Sequence, residues 1–139
     1  MELDPALDWR VIDDGGYNTH IGPIRFAATE PGRWLGALEL TDRHMNFGGV
    51  CHGGVYMSLV DVTMGAAAHE AAEGRRCATI QMDSHFLAAA KNGQTLLAEA
   101  RLNRLVSGVV FMESTIRAGE RTCFRASGIW KFLNLPARG

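Results

Sequence analysis

The chain has 139 residues, of which 47% are hydrophobic and 21% are charged, so it can bury the core of one globular domain. The formal net charge of -1 argues against the strong positive field that attracts nucleic acid or an anionic membrane. We therefore expect a single domain over residues 1–139 and no nucleic-acid or membrane partner.

The N-terminal residues 1–20 are predicted to be an extension of this domain. They contain acidic residues and a proline where a signal peptide has basic residues followed by an apolar run. The apolar stretches of the chain are also shorter than the ~20 residues that cross a bilayer. We expect a cytoplasmic protein. Within the extension, Asp4 and Pro5 are typical of a helix start and predict a short helix over residues 4–9.

The next segments predict a hairpin and one long helix. Residues 24–29 and 34–40 flank the turn sequence EPGR, which is typical of a β-hairpin. Over residues 53–72, apolar side chains recur at helical spacing without a proline, and Gly74 is a plausible stop. The flanks of this helix are nearly apolar, so we expect it to be buried on most sides.

Four segments with strand character follow the helix, over residues 78–87, 95–106, 109–117 and 122–132. The turn sequences KNG, SG and AGE separate them, and short connections favour antiparallel neighbours. Apolar and polar residues alternate most clearly over 95–106, which predicts one buried and one solvated face. The elements together predict an α+β fold in which a long central helix is wrapped by a curved antiparallel sheet.

The cysteines and most histidines carry no sign of a metal centre. Cys51, Cys77 and Cys123 are odd in number and lack CxxC spacing, so we expect reduced, buried thiols. Histidines without metal-ligand spacing are expected to be structural or on the surface; these are His20, His44, His69 and His85. No metal site is predicted.

Two features of the long helix indicate a catalytic role. Asp61 lies in the middle of an apolar helix, where aspartate is costly to bury unpaired, so it must face a cleft or have a specific partner. Gly53 and Gly54 at the helix start leave the first N–H groups accessible at the positive end of the helix dipole. The alternatives are a structural Asp61 bonded to Ser58 or the backbone, and glycines that only allow a sharp turn.

The stretch HMNFGGVCHGGVYMSLVDVTMGAAA, residues 44–68, contains Asn46, a His-Gly-Gly triplet at 52–54 and Asp61 in the spacing N-x5-HGG-x6-D. With the later segment ATIQMDSHFLAAAK and the order of elements, it resembles the hot-dog fold acyl-CoA thioesterases of the phenylacetate-pathway (PaaI-like) type. The similarity runs from Asn46 to the C-terminus. Ala89 stands where that family commonly has proline.

The resemblance implies a catalytic set. Asn46 and the backbone N–H of Gly53 would bind the thioester carbonyl oxygen, and His52 would orient the loop. Asp61 would be the nucleophile or the general base, and Thr79 would hold the attacking water. The implied reaction hydrolyses the thioester of an aryl- or medium-chain acyl-CoA to the free acid and coenzyme A. No cofactor is expected, since coenzyme A is part of the substrate.

Further residues are expected to bind the substrate. Helix-start and apolar positions would line the site and its acyl pocket: Gly54, Val55, Leu59 and Phe86. Basic residues and a turn would contact the coenzyme A portion: Lys91, Arg104, Ser107 and Gly108.

The implied roles also predict a dimer. Gly53 and Asp61 are eight residues apart, about 12 Å along a helix, whereas both must come within ~3.5 Å of one carbonyl group. Two antiparallel copies of the helix across a two-fold axis would bring Gly53 of one subunit near Asp61 of the other. We therefore expect a homodimer with shared active sites, and a dimer of such dimers.

Two alternative functions and one alternative nucleophile are considered at this point. A non-catalytic acyl-CoA binding module shares the fold but needs no carboxylate beside the carbonyl, which Asp61 would supply. A hot-dog hydratase or dehydratase employs a histidine facing the acyl chain, whereas His52 lies at the helix start. A thiol nucleophile at Cys51 is disfavoured, because sequence neighbours such as Cys51 and His52 rarely present both groups to one substrate atom.

Overall fold

The computed structural model describes residues 2–134, so Met1 and residues 135–139 of the predicted domain lie outside the described part. In chain order, the elements over these residues are β1 (Arg10–Val11), α1 (Tyr17–Ile21), β2 (Arg25–Glu30), β3 (Arg33–Glu39), a 3-10 turn (Asp42–His44), α2 (Gly53–Ala71), β4 (Cys77–Phe86), β5 (Thr95–Val106), β6 (Val109–Ala118) and β7 (Arg121–Phe132).

Within residues 2–134, the strands form one seven-stranded sheet in the order β1-β2-β3-β5-β6-β7-β4, with antiparallel pairing throughout. The long helix α2 contacts β3, β4, β5, β6 and β7. One helix reaches so many strands only if the sheet bends around it. The predicted architecture, a long central helix wrapped by a curved antiparallel sheet, is confirmed.

Helix α2 has one face in the core and one that its own sheet leaves partly open. The buried face consists of Val55, Tyr56, Leu59, Val60, Thr63, Met64, Ala67 and Ala68. On the opposite face, Ser58, Asp61 and Gly65 are only partly buried. The expectation that the helix is buried on most sides is therefore wrong for a single chain, because the sheet packs against it from one side only.

Close packing of α2 against the sheet depends on a glycine in β3. A Cβ atom added at Gly36 would lie 2.0 Å from the Thr63 Oγ1 atom, so only glycine fits there. The buried Thr63 hydroxyl donates to the Leu59 carbonyl oxygen at 2.7 Å, which satisfies its hydrogen bond inside the core. The helix and the sheet can therefore approach closely without an unpaired buried polar group.

The predicted hairpin and the four C-terminal strands are confirmed within one residue at their ends. The alternation in β5 is also confirmed, since Leu96, Ala98 and Ala100 are buried while Glu99 and Arg101 are exposed. The expectation that consecutive strands are neighbours holds for β5, β6 and β7 but is wrong for β4 and β5. β4 pairs with β7 at the sheet edge, and β5 pairs with β3. Residues 87–94 are longer than a hairpin turn and carry the chain across the sheet.

The helix predicted over residues 4–9 is wrong. The Asp4 carboxylate accepts the Ala6 N–H at 2.9 Å, and the Leu7 N–H donates to the Asp4 carbonyl oxygen at 3.3 Å, which closes a single turn. One turn does not propagate by itself because helix nucleation is costly. The short helix of the extension is α1.

The end of α2 is as predicted. Gly74 has a φ of 86°, in the left-handed region, and its N–H donates to the His69 carbonyl oxygen at 2.9 Å. Neither this helix nor another in the described part of the chain has the length and apolar character needed to cross a bilayer. The cytoplasmic location stays a prediction.

Candidate active site

The loop before α2 fixes the orientation of the Asn46 amide. The Asn46 N–H donates to the Val50 carbonyl oxygen at 2.8 Å, which closes the loop. The side-chain Oδ1 accepts N–H groups from Gly48 at 2.8 Å and Val50 at 3.3 Å. Only the amide oxygen can accept these bonds, so the side-chain Nδ2 is on the other side. Nδ2 has no acceptor among the described residues and is available as a donor.

His52 and Gly53 form the start of α2. His52 is the N-cap, and its Nδ1 accepts the Gly54 N–H at 2.8 Å. Acceptance at Nδ1 places the ring proton of a neutral imidazole on Nε2, which leaves the exposed side of the ring as a donor. No residue of the described chain accepts the Gly53 N–H. The first helical N–H is therefore an open donor at the positive end of the helix dipole.

Asp61 and Thr79 form a second group of polar side chains. Asp61 lies on the open face of α2, and Thr79 lies on the edge strand β4. The Thr79 hydroxyl donates to Asp61 Oδ1 at 2.8 Å. Both residues line a cavity of about 270 Å³. The bond holds the carboxylate in place, while the Thr79 oxygen can still accept a hydrogen bond from water.

The two groups lie at different positions along α2. Asp61 follows Gly53 by eight residues, which corresponds to about 12 Å of helix. An oxyanion donor and an acid or nucleophile must both reach the same carbonyl group, within ~3.5 Å. A single chain therefore keeps the open Gly53 N–H and the Asp61 carboxylate too far apart to reach one carbonyl group together.

Comparison with protein families identifies the chain. The sequence model of the thioesterase superfamily matches residues 48–124, a range that includes Gly53, Asp61 and Thr79. The chain belongs to the thioesterase superfamily. The predicted class of enzyme, a thioester hydrolase, is thereby confirmed.

A sequence relative supports this membership, and two solved structures share the fold. Over 95 residues the chain is 30% identical to "Putative esterase PA0474" of Pseudomonas aeruginosa, an alignment that covers 68% of this chain and 71% of that protein. The E. coli PaaI protein from the phenylacetic acid degradation operon superposes with a TM-score of 0.77 at 19% identity, covering 84% of this chain and 83% of that chain. The smu.793 protein of Streptococcus mutans, solved bound to acetyl CoA, superposes with a TM-score of 0.72 at 21% identity, covering 84% and 91%. The predicted hot-dog, PaaI-like fold is confirmed.

Of the apolar residues predicted to bind substrate, Phe86 lies beside the site. Its ring packs against the start of α2, where a Cβ atom added at Gly53 would lie 2.9 Å from Phe86 Cε1. Gly54, in the first turn, is partly exposed. Val55 is buried and Leu59 has no exposed surface, because both face the sheet. The structure thus places Val55 and Leu59 in the core and not in the wall of an acyl pocket.

Of the residues predicted to contact coenzyme A, Lys91 lies far from the other three. Lys91 lies in the exposed turn before β5, where its N–H donates to the Gln94 side chain at 2.8 Å. Arg104 is exposed near the other end of β5, next to the turn at Ser107 and Gly108, whose φ angles are 51° and 74°. The length of β5 separates the two ends by on the order of 35 Å. Lys91 and Arg104 of one subunit therefore cannot bind the same phosphate.

Cys51 is buried and does not face the site. Burial raises the pKa of its thiol to about 12, so the reactive thiolate is not formed near neutral pH. Cys123 is buried as predicted, whereas Cys77 is only partly buried and lines the Asp61 cavity. All three thiols are free, and the described residues contain no cluster of potential metal ligands.

The predicted histidine roles agree with the structure. His20, His69 and His85 are exposed. His44 is buried, and its Nδ1 accepts the Thr41 N–H at 2.9 Å while Nε2 lies 2.6 Å from the Ile21 carbonyl oxygen. This histidine joins the end of α1 to the loop before α2.

Sequence reasoning missed most of the cavity wall around Asp61 and Thr79. The other lining residues are Ile12, Asn18, Val62, Gly65, Ala66, Cys77 and Trp130. Gly65, four residues after Asp61, could have been found from its helical spacing to Asp61. Ile12 and Asn18 come from the N-terminal extension, for which the sequence contained no such signal.

Proposed function

We propose that the chain hydrolyses the thioester of an aryl- or medium-chain acyl-CoA to the free acid and coenzyme A, in an active site shared by two subunits. Support for an acyl-CoA substrate comes from the superfamily membership and from the similar fold of a protein solved with acetyl CoA. The observation that carries the proposal is the open Gly53 N–H at one position on α2 and the Asp61–Thr79 pair at another.

The exposed edge of the sheet supports a second copy of the chain as the partner. β4 is an edge strand of ten residues, paired with β7 on one side only. Its exposed apolar residues include Ile80, at 56%, and Phe86, at 57%. An exposed edge strand of this length presents unpaired backbone N–H and C=O groups, which are a template for pairing with another strand, and exposed apolar side chains favour that pairing. We propose that β4 pairs with the same strand of a second subunit across a two-fold axis.

This pairing would complete the site. When two identical strands pair antiparallel and flush, the start of one faces the end of the other. The start of β4 contains Thr79, which is bonded to Asp61, and its end contains Phe86, which packs against Gly53. Asp61 and Thr79 would then lie beside Gly53 of the partner subunit. The proposed tetramer, a dimer of such dimers, stays a prediction.

The proposed reaction uses each group for one task. The Gly53 N–H and the Asn46 Nδ2 of one subunit donate to the thioester carbonyl oxygen and stabilise its developing negative charge. His52 keeps the helix start in shape through its bond to the Gly54 N–H. Asp61 of the other subunit either attacks the carbonyl carbon itself or removes a proton from a water molecule held by Thr79, which then attacks the carbon. The carbon–sulfur bond breaks, and the sulfur leaves as the coenzyme A thiolate. In the first route the acyl group remains on Asp61 as an anhydride, which a water molecule hydrolyses to release the free acid and restore the carboxylate.

Mixing two inactive variants tests the shared site. Gly53→Pro removes the donor N–H, and Asp61→Asn removes the carboxylate charge. Each heterodimer would contain one intact site and one doubly disabled site, so a random mixture should recover about a quarter of the wild-type rate of thiol release from acyl-CoA. Differently tagged subunits would verify exchange. No recovery in a verified heterodimer would contradict the shared site.

A further inference from the structure

The N-terminal extension lies against the open face of α2, next to Asp61. Ile12 and Asn18 line the same cavity of about 270 Å³ as Asp61 and Thr79. The other walls are mainly apolar or small and include Val62, Ala66 and Trp130. The Asn18 side chain makes no hydrogen bond to another described residue, so its carboxamide has no structural bond to maintain. Residues of the extension thus form part of the cavity in which Asp61 acts.

A hydrogen bond fixes the extension to α2 one turn before Asp61. The Tyr17 hydroxyl lies 2.7 Å from Ser58 Oγ. Ser58 uses its only hydroxyl proton to donate to the Gly54 carbonyl oxygen at 2.8 Å, so Tyr17 is the donor in this pair. The Tyr17 side chain is otherwise largely exposed, at 62%. Its contact with α2 therefore depends on this polar bond more than on burial.

The backbone around Tyr17 and Asn18 is held by its own hydrogen bonds. The Asp14 carboxylate accepts the N–H groups of Gly16 at 2.9 Å and Thr19 at 3.2 Å. The bond from Gly16 lowers the pKa of this carboxyl group, because it favours the ionised form. The Asp13 carboxylate accepts the Thr19 hydroxyl at 3.0 Å. The extension therefore has a defined shape on the helix.

We propose that residues 12–18 form one wall of the acyl subsite, and that Ile12 and Asn18 limit the size of the apolar acyl group that reaches Asp61. This proposal rests on the proposed thioesterase function. Each subunit would supply the acid and the acyl wall of one site, while the partner subunit supplies the donors for the carbonyl oxygen. The extension then acts on substrate choice and leaves the coenzyme A contacts to other parts of the dimer.

Shortening the side chains of this wall should enlarge the acyl subsite and so tests the proposal. Ile12→Ala and Asn18→Ala, alone and combined, would be compared with wild type on saturated acyl-CoAs from acetyl upward, with thiol release as the measurement. Because one methylene in an apolar pocket is worth about 10-fold or more, kcat/KM for the longest acyl groups should rise by at least about 10-fold relative to acetyl-CoA. Tyr17→Phe, which frees the wall from Ser58, should shift the preference in the same direction by a smaller factor.

Each variant has a matched control of the same kind at an exposed position outside the cavity. Val11→Ala changes an exposed neighbour on β1, and Asn103→Ala changes an exposed asparagine on β5, and both should leave the chain-length profile unchanged. If Ile12→Ala or Asn18→Ala changed kcat/KM by the same factor for every acyl length, the proposal would be overturned. Such a result would place the residues at the reacting carbonyl or at coenzyme A. An unchanged profile would overturn it as well.

A binding measurement separates this inference from the proposed function. Dissociation constants for S-alkyl-CoA thioethers, which cannot be hydrolysed, report the acyl subsite without turnover. If the wild type releases no thiol but the variants shift affinity towards longer thioethers, the proposed function fails while the acyl wall stands. If the wild type turns over and neither rates nor affinities change with chain length in the variants, only the acyl wall fails.

Discussion

The two faces of α2 differ in what covers them. The face towards the sheet is mainly apolar and includes Leu59 and Met64, which have no exposed surface. The opposite face has small or polar residues, among them Gly54, Ser58 and Asp61, and none of these is fully buried. A change on the first face should act on stability. A change on the second should act on turnover.

The difference explains how one helix supports both the fold and the chemistry. Burial of the apolar face stabilises the chain in proportion to the apolar area removed from water, so that face needs no partner subunit. The open face would bury a carboxylate only if a substrate or a second subunit covered it. The candidate residues on α2 therefore lie on the face that the chain's own sheet leaves partly open, where only the edge strand β4 comes close through the Thr79–Asp61 bond.

The largest effect on turnover is expected at Asp61. Asp61→Asn keeps the shape of the side chain and can still accept the Thr79 hydroxyl on its amide oxygen, but it cannot act as a base or nucleophile. We expect kcat to fall by about 10²–10⁴-fold with little change in the midpoint of thermal unfolding. A variant that keeps more than a tenth of the wild-type kcat would remove Asp61 from the chemistry.

The next largest effect on turnover is expected at the start of α2. Gly53→Pro deletes one N–H at a first helical position that tolerates proline, and we expect a loss of about 10²–10³-fold in kcat. Gly53→Ala is the matched control, because it introduces the same Cβ contact with Phe86 but keeps the N–H. If both variants lose activity equally, crowding at Phe86 and not the donor is responsible.

Thr79 should have a smaller effect. Thr79→Val removes a hydroxyl that donates to a carboxylate, a bond of the kind worth about 1.5–3 kcal/mol, so we expect kcat to fall by about 10- to 100-fold. Thr79→Ser restores the hydroxyl and should recover most of the loss. Failure of Thr79→Ser to recover activity would indicate that the methyl group, and thus packing, is the important part of Thr79.

The long helix, the hairpin and the C-terminal strands could be predicted from the sequence, because each has a regular apolar pattern and ends at a clear turn or stop signal. The sequence was also sufficient to pair Asp61 with Thr79, through the resemblance to a known family. The neighbours of β4 were not predictable in the same way. The position of a strand in the sheet depends on the path of the chain between strands, and the residue pattern within a strand does not indicate which strand will be its neighbour.

The wall of the Asp61 cavity was missed for a related reason. Ile12 and Asn18 lie in an extension with no periodic pattern, and their contact with α2 depends on the pairing of β1 with β2 and on the Tyr17–Ser58 bond. Contacts between residues that are distant in the sequence cannot be predicted from the composition of one segment. Leu59 was placed in an acyl pocket because helical spacing shows which residues share a face but not which face meets the sheet.

The smallest effect on turnover is expected from the buried face. Leu59→Ala removes a side chain with no exposed surface and should lower the free energy of unfolding by about 2–5 kcal/mol. Because Leu59 faces the sheet, kcat/KM per folded molecule and the preference among acyl groups should stay within about twofold of wild type, which corresponds to less than about 0.5 kcal/mol in activation free energy. Denaturant unfolding measures the first quantity and an acyl-CoA panel the second. A changed acyl preference without a loss of stability would place Leu59 in the substrate pocket and contradict the division between the two faces of the helix.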